Sequence, residues 1–487
     1  MFGFSHIFAA MNLPESNALH SNDLLFRTIG RKADEMGLEI YLIGGFVRDI
    51  FLERESKDID IVVIGSGIQF AKAIAAELKD TKLSYFENFG TAQLLYSDLV
   101  IEFVGARKES YNRDSRKPIV EEGTLQDDQE RRDLTINAMG ISLNKATYGK
   151  VIDPFNGMED LDRQIIRTPK DPDITFSDDP LRMMRAIRFA TQLGFRIHES
   201  TYEGIVRNKE RISIISQERI TEELNKIILA PVPSIGFEYL FDTGLLHIIF
   251  PEMTALHGVE TVNNISHKDN FYHTLQVLDN LCKLSNDLWL RWAAILHDIA
   301  KPATKRFEPG TGWTFHGHED KGSRMVKPIF RKLKLPLNEK MKFVEKLVLL
   351  HLRPIVLSQN TITDSAIRRV MVEAGEDLDA LMMLCRSDIT SKNEKKVERI
   401  KQNFFIVEEK MRQVAEKDEL RNWQPPVDGN HIMNTFDIKD PKQIGLLKNA
   451  VREAILDGSV KDEFDSAMTF LKEFAADKGI GEKITEN

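Results

Sequence analysis

Two aspartates alternate with isoleucines in residues 57–63, a segment that has the pattern of a β-strand. Residues two apart on a strand share one face, so Asp58 and Asp60 point to the same side of the sheet. Two carboxylates this close repel each other. A divalent cation would compensate their charge, and oxygen ligands of this kind suit Mg²⁺. The segment therefore predicts a β-sheet that carries a metal-binding acidic face.

The first third of the chain alternates between strand-like and helix-like segments. A strand at 39–43 leads through a glycine turn into a short helix at 46–52, and a second helix is expected at 68–78. Further strands are expected at 83–86, 92–96 and 99–104. This pattern predicts an α/β domain with one twisted sheet.

A third carboxylate, Glu102, lies on the last of these strands between apolar neighbours. It either faces solvent or joins the two aspartates. In the second case, three carboxylates from adjacent strands would make a two-metal site for phosphoryl transfer. The pair Gly44-Gly45 would let phosphate oxygens approach backbone N–H groups. Scattered acids on a solvent-facing strand are one alternative. A dinucleotide fold is another, because Gly65-Ser66-Gly67 follows a strand, although Phe70 occupies its third small position.

Composition excludes several other classes of protein. A net charge of −9, from 66 basic and 75 acidic residues, argues against non-specific polyanion binding by the whole chain. Two distant cysteines and no CxxC exclude a disulfide scaffold and a thiolate zinc site, and they fit a cytoplasmic protein. No apolar run approaches the ~18 residues of a membrane span. Residues 1–11 lack the features of a signal peptide.

From Asp179 onward the pattern is helical almost to the C-terminus. Asp178 or Asp179 is expected to cap a helix near Pro180, which places three regularly spaced arginines on one face. Asp179 can accept a hydrogen bond from the exocyclic amine of cytosine or adenine, and Arg182 can donate to the neighbouring ring atom. This hydrogen-bond acceptor beside a hydrogen-bond donor matches the edges of cytosine and adenine and does not match those of guanine and uracil. A surface ion pair between Asp179 and Arg182 is the alternative.

The run Gly44-Gly45-Phe46-Val47-Arg48-Asp49, followed by Lys57-Asp58-Ile59-Asp60, resembles the class II tRNA nucleotidyltransferases and the related bacterial poly(A) polymerases. Residues 131–139, 153–161 and 178–189 resemble further motifs of that family, with Asp178 where the family usually has Glu. The resemblance implies a head with the DNA polymerase β-like fold and catalytic residues Asp58, Asp60 and Glu102, the two aspartates holding Mg²⁺. The nucleotide-binding residues that it implies are Gly44, Gly45, Arg48, Arg132, Asp133, Asn137, Asp179, Arg182, Arg185 and Arg188.

Two further segments match this family. Residues 111–130 are polar and correspond to its flexible loop, which helps to switch from C to A addition. Residues 217–224 resemble its last neck motif, whose charged residues either orient the others or form a solvated helix face.

A third group of residues lies further along the chain, in helical patterns. His273, His297-Asp298 and Asp388 resemble the ligands of the HD phosphohydrolase superfamily, and His318 and His351 fall where that superfamily carries second ligands. Imidazole and carboxylate ligands suit Mn²⁺, Ni²⁺, iron or Zn²⁺. A bound metal would activate water for phosphoester hydrolysis, and Lys301 could bind the phosphate. The alternative is a helical domain that keeps these side chains as hydrogen-bonded core groups.

Four domains are expected: a nucleotidyltransferase head at 1–155, an all-α neck at 156–235, an HD-type helical domain at 236–395 and a helical tail at 396–487. The resemblance implies addition of CMP and AMP to tRNA 3′ ends from CTP and ATP, with the tRNA acceptor end held by neck and tail. Three alternatives stay open. They are a poly(A) polymerase or A-adding enzyme, an HD hydrolase acting on RNA ends, and a non-catalytic RNA-binding protein.

Overall fold

The computed structural model describes residues 22–87, 90–112, 115–357, 363–390, 394–418, 424–436, 438 and 440–481. The segment 1–11, which was expected not to be a signal peptide, lies outside these ranges. The chain divides into two compact units, residues 1–251 and residues 252–487. Within the described ranges, no helix is both long and apolar enough to cross a membrane.

A mixed seven-stranded sheet forms the centre of the first unit, with the strand order β3-β4-β5-β2-β1-β8-β9. Strand β2 runs parallel to β5, whereas β1 is antiparallel to both β2 and β8. The antiparallel neighbours rule out the parallel sheet of a dinucleotide-binding fold. The strands of this unit are β1 (Ile40–Ile43), β2 (Asp58–Val63), β3 (Thr81–Phe86), β4 (Thr91–Tyr96), β5 (Leu99–Gly105), β6 (Arg107–Asn112), β7 (Ser115–Glu122), β8 (Gly140–Ser142), β9 (Val151–Ile152), β10 (Ile165–Ile166) and β11 (Arg196–Ile197).

Helices surround this sheet and continue into the neck. They are α1 (Asp23–Met36), α2 (Gly45–Phe51), α3 (Gly67–Glu77), α4 (Leu125–Glu130), α5 (Gly157–Asp162), α6 (Pro172–Asp178), α7 (Leu181–Leu193), α8 (Glu199–Asn208), α9 (Gln217–Ile228), α10 (Pro233–Asp242), α11 (Leu245–Ile249) and, at the unit boundary, α12 (Pro251–Thr254). The helices and strands predicted for residues 39–104 are all present, because their apolar residues alternate or recur with the period of the element they form.

The structure of residues 111–130 is not the loop that their composition indicated. They contain strand β7, which pairs antiparallel with β6, and the short helix α4. Helix α4 begins with a capping box. The Thr124 hydroxyl accepts from the Asp127 N–H, and the Asp127 carboxylate accepts from the Thr124 N–H. The segment has little apolar alternation, which is why its polar sequence indicated a loop.

The second unit is mainly helical. Its helices are α13 (Asn270–Cys282), α14 (Leu288–Leu296), α15 (Lys301–Thr304), α16 (His318–Lys332), α17 (Glu339–Leu350), α18 (Leu352–Leu357), α19 (Asp364–Ala374), α20 (Leu378–Ser387), α21 (Glu394–Asp418), α22 (Gly429–Phe436), α23 (Pro441–Leu456) and α24 (Phe464–Asp477). Four short strands were not predicted: β12 (Thr261–Val262), β13 (Ile265–Ser266), β14 (Arg306–Glu308) and β15 (Gly312–Thr314). Strands of two or three residues are too short to show a two-residue period.

The last three helices enclose an apolar cluster of their own. Its members are Val427, Ile432, Phe436, Leu447, Val451, Ile455, Ala467, Leu471 and Ala475. Arg369 of α19 lies 2.7 Å from Glu453 and 2.6 Å from Asp457, so ion pairs also join the tail to the helices before it.

Helix α1 approaches the backbone beside β8 very closely at Gly30. A Cβ atom at this position would lie 2.0 Å from the carbonyl oxygen of Leu143. We expect Gly30→Ala to lower the free energy of unfolding by about 1–3 kcal/mol, because the helix must move away from the backbone. Hydrogen exchange of the full chain in increasing denaturant, resolved by peptide, measures the change in the first unit.

Gly445→Ala is the matched control, since Gly445 also lies inside a helix but a Cβ there would meet no atom within 4 Å. This control should stabilise its helix by about 0.5–1 kcal/mol. Protection of α1 that is unchanged or increased in Gly30→Ala would contradict the close contact.

Candidate functional site

Three carboxylates occupy neighbouring positions on β2 and β5. The parallel register places Asp60 directly opposite Glu102, and Asp58 lies two residues earlier on the same face. Burial raises the pKa of Asp60 despite the opposing charge of Arg132, and Asp58 adds to the increase. Burial and the charge of Asp60 likewise raise the pKa of Glu102. The structure thus brings the three predicted acids together, and a divalent cation fits their oxygen donors and their mutual repulsion.

The turn between β1 and α2 reaches this acidic group. Gly44 has φ 81° and ψ −143°, a backbone conformation that residues with a side chain rarely adopt. A Cβ at Gly44 would lie 3.0 Å from both Oδ2 of Asp60 and Nη1 of Arg132. The glycine therefore allows a carboxylate and a guanidinium to approach the same stretch of backbone.

Asp128, a residue that sequence analysis did not single out, holds two arginines in place. Its carboxylate is fully buried in α4 and accepts two hydrogen bonds from Arg132, at 3.2 and 3.1 Å, and one from Nε of Arg131 at 3.0 Å. Burial alone would raise the pKa of Asp128, but the two guanidinium groups hold it below its usual value. Acid and arginines are three and four residues apart, which is the spacing of neighbours on a helix.

A second buried network connects α2 with α7. Arg48 donates to Oδ1 of Asn137 at 2.8 Å and to both carboxylate oxygens of Asp49. Asp133 accepts from Nδ2 of Asn137 at 3.2 Å and from Nε of Arg185 at 2.6 Å. Burial raises the pKa of Asp133, but the nearby positive charge of Arg185 prevails and lowers it to about 2. Four of the predicted nucleotide-binding residues are thus linked to one another.

The ring of Phe189 is surrounded by three guanidinium groups. Arg188, Arg48 and Arg185 lie 4.1, 5.0 and 5.6 Å from its centroid, within the range of cation–π contacts. Arg188 also lies 3.1 Å from Glu223 of α9, and both side chains are nearly buried. Glu223 belongs to the neck segment 217–224, which therefore supplies a buried charged partner as well as a helix surface.

Asp179 and Arg182 do not form the surface ion pair that was the alternative to base recognition. Oδ1 of Asp179 accepts from the N–H of Leu181 at 3.1 Å, and Oδ2 lies 3.6 Å from Arg219. Arg182 is nearly buried, and its guanidinium makes no hydrogen bond to another described residue. Helix α7 begins at Leu181, so Pro180 takes the capping position and not the first helical one.

The second unit contains six predicted metal ligands in two groups. His273, His297 and Asp388 form one group, and Asp298, His318 and His351 form the other, with the ligand atoms of each group within 4.8 Å of one another.

The carboxylate of Asp298 lies between these two groups. Its Oδ2 is 3.4 Å from Nε2 of His273 and 3.2 Å from Nε2 of His297, and its Oδ1 is 3.3 Å from Nε2 of His318. One carboxylate therefore faces both groups, with a different oxygen toward each.

Three of the imidazoles are held in the same way. Nδ1 of His297, His318 and His351 each contacts the backbone carbonyl three residues earlier. The carbonyls belong to Ala294, Phe315 and Val348, at 2.7, 2.8 and 2.7 Å. This contact fixes the ring and leaves Nε2 available to a metal. Nε2 of His297 is buried, and its 3.2 Å contact with Asp298 lacks the geometry of a hydrogen bond, so a bound cation would satisfy it.

The expectation that the HD ligands lie on helices is wrong for three of the four residues that it covered, and His351 also lies just past a helix. His297 and Asp298 follow the last residue of α14, His351 follows α17, and Asp388 follows α20. At a helix end the last carbonyls lack intrahelical partners, so they can accept hydrogen bonds from imidazoles.

Two lysines adjoin the ligands. Nζ of Lys301 lies 2.6 Å from Oδ2 of Asp298. Burial raises the pKa of that carboxyl group, but the charges of His297 and Lys301 bring it well below its usual value. Nζ of Lys268 contacts Nδ1 of His273 at 2.8 Å. No local pattern predicts that contact, because it depends on a turn before α13.

A sheet with paired acids beside buried arginines defines a nucleotidyltransferase, and the second unit has the ligand set of an HD domain. Comparison with known proteins agrees. Residues 40–167 match the poly A polymerase head domain, residues 194–256 match a probable RNA and SrmB-binding site of polymerase A, and residues 270–391 match the HD domain.

Similar proteins include a multifunctional CCA protein of Shewanella frigidimarina, which is 31% identical over 306 residues, or 61% of this chain and 70% of the relative. An A-adding tRNA nucleotidyltransferase of Aquifex aeolicus is 41% identical over 193 residues, or 40% of this chain and 23% of the relative. The fold resembles that of the Thermotoga maritima CCA-adding enzyme complexed with tRNA, with a TM-score of 0.60 at 22% identity over 95% of this chain and 97% of the other.

The chain belongs to the family of tRNA nucleotidyltransferases and bacterial poly(A) polymerases, and it carries that family's HD domain. It is a nucleotidyltransferase. The predicted family and fold class are confirmed.

The depressed pKa of Asp133 has a consequence for stability in acid. Its folded pKa of about 2 lies below the unfolded value of about 3.9, so its contribution is complete above that unfolded value and is lost as pH falls through about 2. We expect Asp133→Asn to lower the unfolding free energy of the first unit by about 2 kcal/mol at pH 6. The difference from wild type should shrink between pH 4 and 2, as measured by the pH dependence of denaturant unfolding.

Asp98→Asn is the control, because Asp98 pairs with Lys57 in solvent, where such pairs contribute little to stability. A difference between wild type and Asp133→Asn that stays constant from pH 6 to pH 2 would show that the carboxylate charge is not involved.

Proposed function

We propose that this enzyme adds CMP and AMP to the 3′ end of tRNA, using CTP and ATP and releasing pyrophosphate. The observation that carries the proposal is the opposed pair Asp60 and Glu102, with Arg132 approaching the same place from the turn that follows α4. The Shewanella relative, a multifunctional CCA protein that aligns with 61% of this chain, supports this activity.

In this reaction the terminal 3′-hydroxyl oxygen of the RNA attacks the α-phosphorus of the nucleotide. A new P–O bond forms, the bond to the β-phosphate breaks, and pyrophosphate leaves. Asp58, Asp60 and Glu102 would hold Mg²⁺, which would help to deprotonate the hydroxyl group and stabilise the charge on the phosphates. Arg132, fixed by Asp128, lies where it can neutralise the triphosphate.

Base selection is assigned to Asp179 and Arg182. The Asp179 carboxylate offers an acceptor to the exocyclic amine of cytosine or adenine, and Arg219 restrains the carboxylate from the other side. The guanidinium of Arg182 has no hydrogen-bond partner in the described structure and can donate to the base. Neither pairing suits G or U, whose edges carry the opposite groups.

Primer extension tests this proposal. The substrates are a tRNA transcript that ends at the discriminator base and a generic RNA of equal length, each with CTP alone, ATP alone or both. We expect C, C and one A on tRNA only. Asp60→Asn should lower the rate about 10³-fold or more, because loss of metal-ion catalysis removes several kcal/mol of transition-state stabilisation. Asp98→Asn, an exposed carboxylate that pairs with Lys57, should change the rate less than about twofold.

Other products would point to other members of the family. Long A tails on either RNA without use of CTP would indicate a poly(A) polymerase. A single A added only to tRNA that already ends in CC would indicate an A-adding enzyme such as the Aquifex relative. A rate unaffected by Asp60→Asn would contradict the assignment of the acidic group.

We propose a second activity for the HD domain, metal-dependent hydrolysis of a phosphate ester at an RNA end. The supporting observation is the pair of ligand groups, each of which faces one oxygen of Asp298. Water attacks the phosphorus, the ester P–O bond breaks, and the ribose oxygen leaves as a hydroxyl group. Lys301, next to Asp298, lies where it can contact the phosphate.

Metal binding and hydrolysis can be measured on the same preparations. We expect the full chain to bind two Ni²⁺ or Mn²⁺ ions in the HD domain and to release phosphate from a 3′-phosphorylated RNA. Asp298→Asn should weaken both ions at least about tenfold, because it faces both groups, and should abolish hydrolysis. His247→Gln, an exposed histidine of the first unit, should change neither. Full metal binding and hydrolysis by Asp298→Asn, with normal primer extension, would contradict the assignment.

A further inference from the structure

The ring of Phe189, on α7, is contacted by three arginines of the predicted nucleotide-binding set. The ring is nearly buried, and the guanidinium groups of Arg188, Arg48 and Arg185 lie 4.1, 5.0 and 5.6 Å from its centroid. Every other cation–π contact in the described part of the chain pairs one ring with one cation. Among the described residues, a ring that contacts three cations is therefore particular to this site.

Three positive charges this close together repel one another. Burial lowers the pKa of Arg188 despite the opposing charge of Glu223, and the charges of Arg185 and Arg48 add to the decrease. The face of an aromatic ring carries partial negative charge and attracts cations, although the ring has no net charge. Phe189 therefore offsets part of the repulsion without adding a carboxylate, which would repel the phosphates of a nucleotide.

The three arginines come from two elements of the nucleotide site. Arg48 lies on α2, shortly after the glycine turn that reaches the acidic group, whereas Arg185 and Arg188 lie on α7. Arg182, which is assigned to the base, lies on the same helix three residues before Arg185. The ring of Phe189 therefore joins the element expected at the phosphates to the helix expected at the base.

Arg185 is the arginine of this group that has unused hydrogen-bond donors. Arg48 is occupied by Asn137 and by both carboxylate oxygens of Asp49. Arg185 donates its Nε to Asp133 at 2.6 Å, and among the described residues its two terminal nitrogens make no hydrogen bond. Its side chain is 34% exposed, against 10% for Arg48. A ligand can therefore reach the free nitrogens of Arg185.

We propose that Phe189 is a positioning residue that directs the free nitrogens of Arg185 toward the incoming nucleotide. Arg185 lies four residues before Phe189 on α7, so the two side chains are neighbours on one helix face. The ring holds this guanidinium beside those of Arg48 and Arg188, and a nucleotide then binds to a group whose conformational entropy is already lost. This inference rests on the proposed nucleotidyl transfer and names a residue that sets its affinity for ATP and CTP.

Fluorinated phenylalanines separate this role from ordinary packing. Successive fluorine atoms on the ring at position 189 withdraw negative charge from its face in steps, while its size and shape change little. Equilibrium dialysis of the full-length proteins, with Mg²⁺ and no RNA, measures binding of labelled ATP and CTP. We expect the Kd for both nucleotides to rise with each step and to reach about fivefold or more for pentafluorophenylalanine. In primer extension KM should rise in parallel, with kcat within about twofold of wild type.

Phe70 provides the matched control. Its ring is buried in the first unit as well, but it contacts the ring of Phe103 at 5.5 Å and, among the described residues, no cation. The same fluorinated series at Phe70 should leave both Kd values within about twofold of wild type. Phe189→Leu and Phe70→Leu extend the comparison, with the folded fraction of each determined by denaturant unfolding. Both remove a buried ring and lower stability, and we expect Phe189→Leu alone to weaken nucleotide binding.

The outcomes separate this inference from the proposed function. Products other than C, C and one A would overturn the proposed CCA addition, but a graded loss of ATP binding would still support Phe189 as a positioning residue. A wild-type protein that neither binds nor uses either nucleotide would overturn both proposals. Equal Kd and KM across the series at Phe189 would overturn this inference alone. So would an equal loss of nucleotide binding in Phe70→Leu and Phe189→Leu, since removal of any buried ring would then have the same effect.

Discussion

Two carboxylates lie opposite each other on the parallel strands β2 and β5, and they repel each other. The charged groups of the first unit are arranged around that repulsion. Asp60 and Glu102 are held in register by the backbone ladder, so neither can move away without breaking the sheet. Positive charge that offsets them comes from Arg132, in the turn that follows α4. A cation bound by the acids would neutralise their negative charge, and a triphosphate bound by the arginine would neutralise its positive charge. The charges of such a substrate complex therefore complement those of the site.

Buried carboxylates fix the arginines around that centre. Asp128 holds Arg132, Asp133 holds Arg185, and Glu223 lies against Arg188, each from a different segment of the unit. A guanidinium group that a buried carboxylate already holds loses little further conformational entropy when a ligand binds, and this favours tight and specific binding. In the HD domain, backbone carbonyls have the same role for three imidazoles. Both sites are therefore built from charged side chains whose direction is set by a second layer of polar groups.

Most of the charged residues of the two sites could be predicted from the sequence, but few of the residues that contact them could. Asp58 and Asp60 were predictable because alternation on a strand is a local property, and the HD ligands because their order along the chain matches a known pattern. The contacts of Arg219 with Asp179, of Glu223 with Arg188 and of Lys268 with His273 depend on which helices or turns pack together, and no local pattern reports that. The helix ends at His297 and His351 were missed because apolar residues continue past the last helical hydrogen bond. The roles of these site residues stay predictions, as do the four domain boundaries.

Gly44 shows how few residue types a position in such a site can accept during evolution. Its backbone conformation excludes nearly every other residue, and a Cβ placed there would lie 3.0 Å from both the Asp60 carboxylate and the Arg132 guanidinium. The backbone conformation and the close side chains are independent constraints. A second mutation that relaxed the turn would leave the side chains too close, and one that moved the arginine would leave the backbone strained. Among descendants of this sequence that keep the activity, position 44 should be one of the last to change.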